Sequence, residues 1–135
     1  MNVKGTYAVK KWEEQMYDQI SSDMKLTRAS VEFGFSGGIE GRASVEYLMF
    51  YRHADSHDQH NSTASYVGLL RFEGGLGGKS GSFVMEDKGT FEGGTARSAL
   101  RIADGSGTGA LKGIRGNGIY RANKDSCQIE LDYEI

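Results

Sequence analysis

Hydrophobic and polar residues alternate along most of this chain with a period of two, and glycines separate the alternating stretches. Period two marks a β-strand that buries one face, because successive side chains point to opposite sides of a sheet. The last stretch, Cys127 to Ile135, is the cleanest: Cys127, Ile129, Leu131, Tyr133 and Ile135 share one face, and Gln128, Glu130, Asp132 and Glu134 the other. From Met24 to Phe35, Ala29, Val31, Phe33 and Phe35 oppose Arg28, Ser30, Glu32 and Gly34; from Ile39 to Tyr51, Ala43, Val45, Tyr47 and Met49 oppose Arg42, Ser44 and Glu46. Leu48 and Phe50 break that second polar face. Further strands are predicted over Val3–Trp12, Ala64–Glu73, Gly81–Thr90, Gly94–Ile102 and Gly116–Ala122, with Glu13–Asp23 as a polar connection.

Twenty glycines and no proline in 135 residues fit hairpins joined by tight turns, since glycine supplies positive φ without a Cβ clash. Ser36-Gly37-Gly38 closes one hairpin and Gly74-Gly75-Leu76-Gly77-Gly78 another. Only Gly109–Arg115 interrupts the strands, and Ala110-Leu111-Lys112 suits one helical turn. Eight strands are enough for a sheet to close on itself, which removes exposed edges. The expected fold is therefore all-β: a single domain over residues 1–135, an eight-stranded antiparallel barrel with a lipocalin-like meander and glycine-rich hairpins. In the seventh strand Ile119 and Tyr120 compete for the core.

Charge narrows the partners. Sixteen basic against eighteen acidic residues leave a formal charge of -2, which lacks the basic footprint of a nucleic-acid binder. No apolar run reaches membrane-spanning length and no signal-like segment opens the chain, so a cytoplasmic protein with no membrane partner is expected. The single cysteine, Cys127, cannot form an internal disulfide, in keeping with that compartment. Without a secretion signal, the sequon Asn61-Ser62-Thr63 is not expected to be used.

Several motifs suggest chemistry that their context denies. Gly74 to Ser80 resembles a phosphate loop, but Glu73 stands where the pattern needs glycine and a strand, not a helix, follows. Gly105-Ser106-Gly107-Thr108-Gly109-Ala110 matches a degenerate dinucleotide fingerprint without any parallel βαβ context. All three histidines, His53, His57 and His60, lie in one loop with Asp55 and Asp58; imidazole and carboxylate can ligate zinc or nickel, yet nothing organises that loop. No metal or cofactor is therefore assigned. Cys127 has no histidine near it in sequence and reads as a small buried hydrophobe.

The inward faces are more informative. Tyr47 and Met49, Tyr66, and Phe83, Met85 and Asp87 come together in an aromatic, methionine-rich interior with one carboxylate. A carboxylate facing a lumen needs a partner or water. Asp87 either lies hydrated at the barrel rim or, with the tyrosine hydroxyls, orients a ligand in an apolar cavity. On the outer faces Leu48, Phe50, Val67, Leu69 and Val84 would form an apolar patch, which predicts self-association into a homo-oligomer.

The stretches Lys25-Leu26-Thr27-Arg28-Ala29, Glu46-Tyr47-Leu48-Met49, Tyr66-Val67-Gly68-Leu69, Gly77-Gly78-Lys79-Ser80-Gly81-Ser82-Phe83-Val84 and Gly105 to Leu111, continuing to Gly116-Asn117-Gly118, carry a family resemblance. The chain resembles, over nearly its whole length, a bacterial family of proteins of unknown function with a barrel like that of allene oxide cyclases. The resemblance implies the fold and points to an apolar small molecule in the lumen. Its alternatives are an isomerase or cyclase acting on a flexible apolar substrate, or a packed barrel that binds another protein. In that family's pattern the position of Leu70 is often acidic and that of Asp87 often histidine; this chain departs at both.

Overall fold

The computed structural model describes residues 1–55, 57–58 and 61–135. Among these residues nine strands form: β1 (Asn2–Gln19), β2 (Lys25–Gly37), β3 (Ile39–His53), β4 (Thr63–Leu76), β5 (Lys79–Glu92), β6 (Thr95–Ile102), β7 (Thr108–Gly109), β8 (Arg115–Ala122) and β9 (Cys127–Glu134). All pairings are antiparallel, and eight strands close a ring in the order β1-β2-β3-β4-β5-β6-β8-β9, with β9 returning to β1. The two-residue β7 sits outside the ring, on Gly81 and Ser82 of β5. Turn chemistry follows the glycines: Gly77-Gly78 (φ 58 and 82) and Gly93-Gly94 (φ 60 and 77) each put two consecutive residues at positive φ, as two-residue hairpin turns require.

The ring is strongly staggered. Followed through its registers, Asp18 meets Leu26, then Phe50, Ser65, Thr90, Arg97, Arg121 and Gln128, and the path re-enters β1 at Thr6. Strand tilt and stagger are linked in a closed sheet. Here the stagger leaves the far end of β1 without a second neighbour, because β9 pairs only with Asn2–Thr6.

Strand β1 departs from expectation. It runs through Glu13–Asp23 as far as Gln19, paired with β2 almost throughout, where the sequence reads as a polar connection. Two register shifts, between Val9 and Lys11 and between Met16 and Asp18, explain the difference. Each bulge adds one residue and flips which parity faces inward. The inward row is thus Tyr7, Val9, Trp12, Glu14 and Met16, which no single alternation reveals. In β8, Tyr120 takes the core, 8% exposed, and Ile119 faces outward at 60%.

One end of the barrel is solidly packed. Phe72, Phe83, Met85, Ile102 and Leu131 are fully buried there, and the segment between β6 and β8 closes it with Leu111 and Ile114. That segment makes turns rather than a helix, through bonds from Leu111 N to Thr108 O and from Ile114 N to Leu111 O. Among the described residues, no helix is long and apolar enough to cross a membrane. Leu111→Ala is expected to destabilise the protein by about 2–5 kcal/mol through the cavity it opens, and Leu48→Ala, on the exposed face, by less than about 0.5 kcal/mol. Urea unfolding of the two variants checks this contrast.

Candidate functional site

Two tiers of inward residues run round the middle of the ring. In the first, Tyr47 pairs with Gly68, Gly68 with Asp87, and Asp87 with Leu100; in the second, Met49 pairs with Tyr66, Tyr66 with Gly89, Gly89 with Ser98, and Ser98 with Tyr120. Glycine alternates with large polar side chains for a steric reason. A Cβ on Gly89 would clash with the Arg97 carbonyl oxygen and lie 2.7 Å from both the Tyr66 hydroxyl and Ser98 Oγ, and one on Gly68 would lie 2.5 Å from the Glu46 carbonyl oxygen and 2.7 Å from Cδ1 of Tyr47. The missing side chains make room for the rings and hydroxyls beside them.

Those hydroxyls form a chain. Tyr47 lies 2.6 Å from Asp87 Oδ2 and 2.8 Å from the Tyr120 hydroxyl; Tyr120 donates to Tyr66 at 3.2 Å, and Tyr66 lies 2.6 Å from Ser98 Oγ. Each hydroxyl carries one proton, so all the links form together only if the chain points one way. It runs toward an ionised Asp87 or away from a protonated one. Tyr47 donates to Asp87 Oδ2 and Tyr120 donates to Tyr66, so with both bonds made the Tyr47–Tyr120 contact holds no proton between its two oxygens.

Asp87 is 1% exposed, which overturns its placement at a hydrated rim. Burial pushes its carboxyl up to about 6, against the opposing pull of the nearby Tyr47, Ser98 and Tyr120 hydroxyls. Burial likewise raises the Tyr7, Tyr47, Tyr66 and Tyr120 phenols, which remain protonated donors. Asp87 Oδ1 and the Tyr7 hydroxyl are buried without hydrogen-bond partners among the described residues, and the Tyr7 ring stands edge-on to Tyr120 at 5.4 Å.

Above this floor the barrel is hollow. A cavity of about 570 Å³ is lined at depth by Tyr7, Phe33, Tyr47, Tyr66 and Tyr120, on its walls by Met49, Phe91 and small alanines, and at its mouth by Trp12, Glu14 and Lys25. Glu14 is held on the wall by Thr27 Oγ1 at 2.6 Å and the Tyr51 hydroxyl at 2.7 Å, both donating to Oε2, and by Trp12 Nε1 at 3.0 Å on Oε1.

Of the residues picked from sequence, Tyr47, Met49 and Tyr66 line the cavity. Asp87 lies behind Tyr47 and reaches the cavity only through that hydroxyl. Phe83 and Met85 are buried but belong to the packed end, not to the cavity wall, because their positions on β5 precede the hollow section. Sequence reasoning missed Ser98, Tyr120, Tyr7 and Glu14. Ser98 was detectable, since it shares an inward row with Ala96, Leu100 and Ile102.

The remaining motifs keep their plain readings. Gly74 to Ser80 is the tip of the β4–β5 hairpin, and Gly105 to Ala110 is a turn leading through β7. His53 Nδ1 meets Asp23 Oδ2 at 3.2 Å, and His57 is exposed; His60 lies outside the described residues. Among the described residues no group of three metal-ligating side chains gathers. Burial pushes the Cys127 thiol up, away from a nucleophilic thiolate. On the outer face Leu48, Val67 and Leu69 are 52%, 48% and 60% exposed, and Phe50 and Val84 are half-buried.

A family described as "Protein of unknown function (DUF3224)" matches residues 3–133. Among curated proteins none matches the chain. A crystal structure of a protein with unknown function from the DUF3224 family of Shewanella oneidensis MR-1 shares 22% sequence identity, with a TM-score of 0.74 over 100% of this chain and 97% of that one. At that identity the likeness shows the shared fold.

The raised Asp87 carboxyl has a definite sign. Between its ordinary value of 3.8 and about 6 the folded state holds a proton that the unfolded state has lost, so stability falls as pH rises through that window and levels off above it. Asp87→Asn removes this loss. Relative to the unsubstituted protein, the variant should gain on the order of 2 kcal/mol between pH 4 and pH 7, whatever its constant offset. Paired urea titrations at the two pH values check this, and a pH-independent difference would count against a buried, proton-holding Asp87.

Proposed function

The chain belongs to the DUF3224 family of proteins of unknown function, and we propose that its barrel binds a small, mostly apolar molecule with a neutral hydrogen-bonding head. The cavity with its tyrosine floor carries this reading: its volume is that of a small-molecule site, and its apolar walls converge on a few polar groups. A hydroxyl or carbonyl head would join the Tyr47–Tyr120–Tyr66 chain. An anionic head would face the Asp87 carboxylate through Tyr47 in a poorly solvated pocket, so it is disfavoured above pH 6.

A second reading keeps the same pocket and adds turnover, as in an allene oxide cyclase-like isomerase or cyclase. It is favoured by a carboxyl that titrates near neutrality and touches the cavity through one tyrosine. Such an enzyme needs the substrate folded into a reactive conformer more than it needs a nucleophile. Conversion of a bound substrate that is lost in Asp87→Asn while binding persists would identify it.

Trp12, the single tryptophan, stands at the cavity mouth and reports occupancy directly. Its emission should change saturably with 1-octanol and more weakly with octanoate at pH 7.5. Ala96→Phe, which fills the cavity, should abolish the change, and Tyr47→Phe should weaken 1-octanol by about fivefold, the loss of one hydrogen bond. An emission spectrum indifferent to both ligands would overturn the proposal.

A further inference from the structure

From Tyr7 to Gln19, β1 bonds β2 on one side, and among the described residues no strand lies on the other. Among the described residues that edge carries no strand pairing, and Val9, Trp12, Met16 and Tyr17 are 49%, 47%, 52% and 59% exposed. Val9 and Trp12 also line the cavity, so the open edge is the unfinished wall of the pocket.

An edge of this kind is a template for another strand unless charge or bulges block it. Here the charges are ordered so that they do not block a copy of the same strand. The segment Lys11-Trp12-Glu13 reads base, aromatic, acid, and an antiparallel copy centred on Trp12 reads acid, aromatic, base. Lys11 and Glu13 both face outward, opposite Glu32 and Ser30 of β2, and pair with each other at 3.3 Å. The register between the two bulges, from Lys11 to Met16, is regular.

We propose that two copies of this chain pair antiparallel along the free edge of β1, with the two-fold axis at Trp12. Lys11 of each copy then stands opposite the partner's Glu13, the two tryptophans meet on the concave side, and each copy completes the other's cavity wall. Directly opposed charges of unlike sign stabilise cross-strand pairing, and like charges oppose it. The Val9/Lys11 bulge of each copy falls opposite Glu14 of the other, so Lys11–Glu13 is the stretch that is regular in both, and pairing ends before Asp18, where the partner's Thr6 is already taken by β9.

The test is light scattering of the full chain and of charge reversals. At about 100 µM the protein should have twice its 14.7 kDa mass. Lys11→Glu and Glu13→Lys, each introducing two like-charge contacts across the axis, should each weaken the dimer by about tenfold or more, and the double exchange should restore it. Both positions are solvent-facing, and an unchanged far-UV spectrum confirms that each variant folds. A monomeric mass at that concentration would overturn the proposal. So would a dimer indifferent to either reversal, or one broken by Leu69→Glu and not by Lys11→Glu, which would place the interface on the outer face of β3 and β4.

Discussion

The structure rests on how a ring of unequal strands is made to close. Five strands are long and three are short, and the last of them, β9, meets β1 over Asn2–Thr6 alone. A flush ring could not join such strands without leaving one side open along its whole height. The stagger solves this by closing the packed end fully and letting the long strands overhang at the other. The cavity, its exposed mouth and the free edge of β1 all follow from that overhang.

Within the ring, polar groups survive burial because the backbone makes room for them. Gly68 and Gly89 lie beside Tyr47 and Tyr66, and the resulting hydroxyl chain ends on a carboxyl that holds its proton to near neutrality. A buried polar network is stable only when nearly every member is satisfied. Here the two unpaired atoms, Asp87 Oδ1 and the Tyr7 hydroxyl, lie at the same cluster. The imperfection sits where a ligand's polar group would be useful.

Much of the ring was legible because strands with one wet face must alternate. The alternation in β2, β3 and β9 fixed their faces, and the glycines from 74 to 78 marked the turn between β4 and β5. Tyr47, Met49 and Tyr66 followed from parity alone. What could not be read were features set by neighbours rather than by the strand itself. Bulges depend on the pairing partner, so the inward turn of Glu14 was hidden in Glu13–Asp23, which reads as a polar connection. The separation of Phe83 and Met85 from the cavity depended on how far along β5 the plug carrying Leu111 and Ile114 reaches.

The closing pair of the ring joins the second residue of the chain to residue 132. Apart from β6 with β8, every other neighbouring pair in the ring is a hairpin and can form from residues close in sequence. Contacts between distant segments are slow to form, because the entropy of closing a long loop is lost before any contact rewards it. The barrel therefore cannot close while β9 is still absent, and until then the chain is an open curved sheet with both edges unpaired. Throughout that interval the free edge of β1 is longer by Asn2–Thr6 than it is in the closed ring.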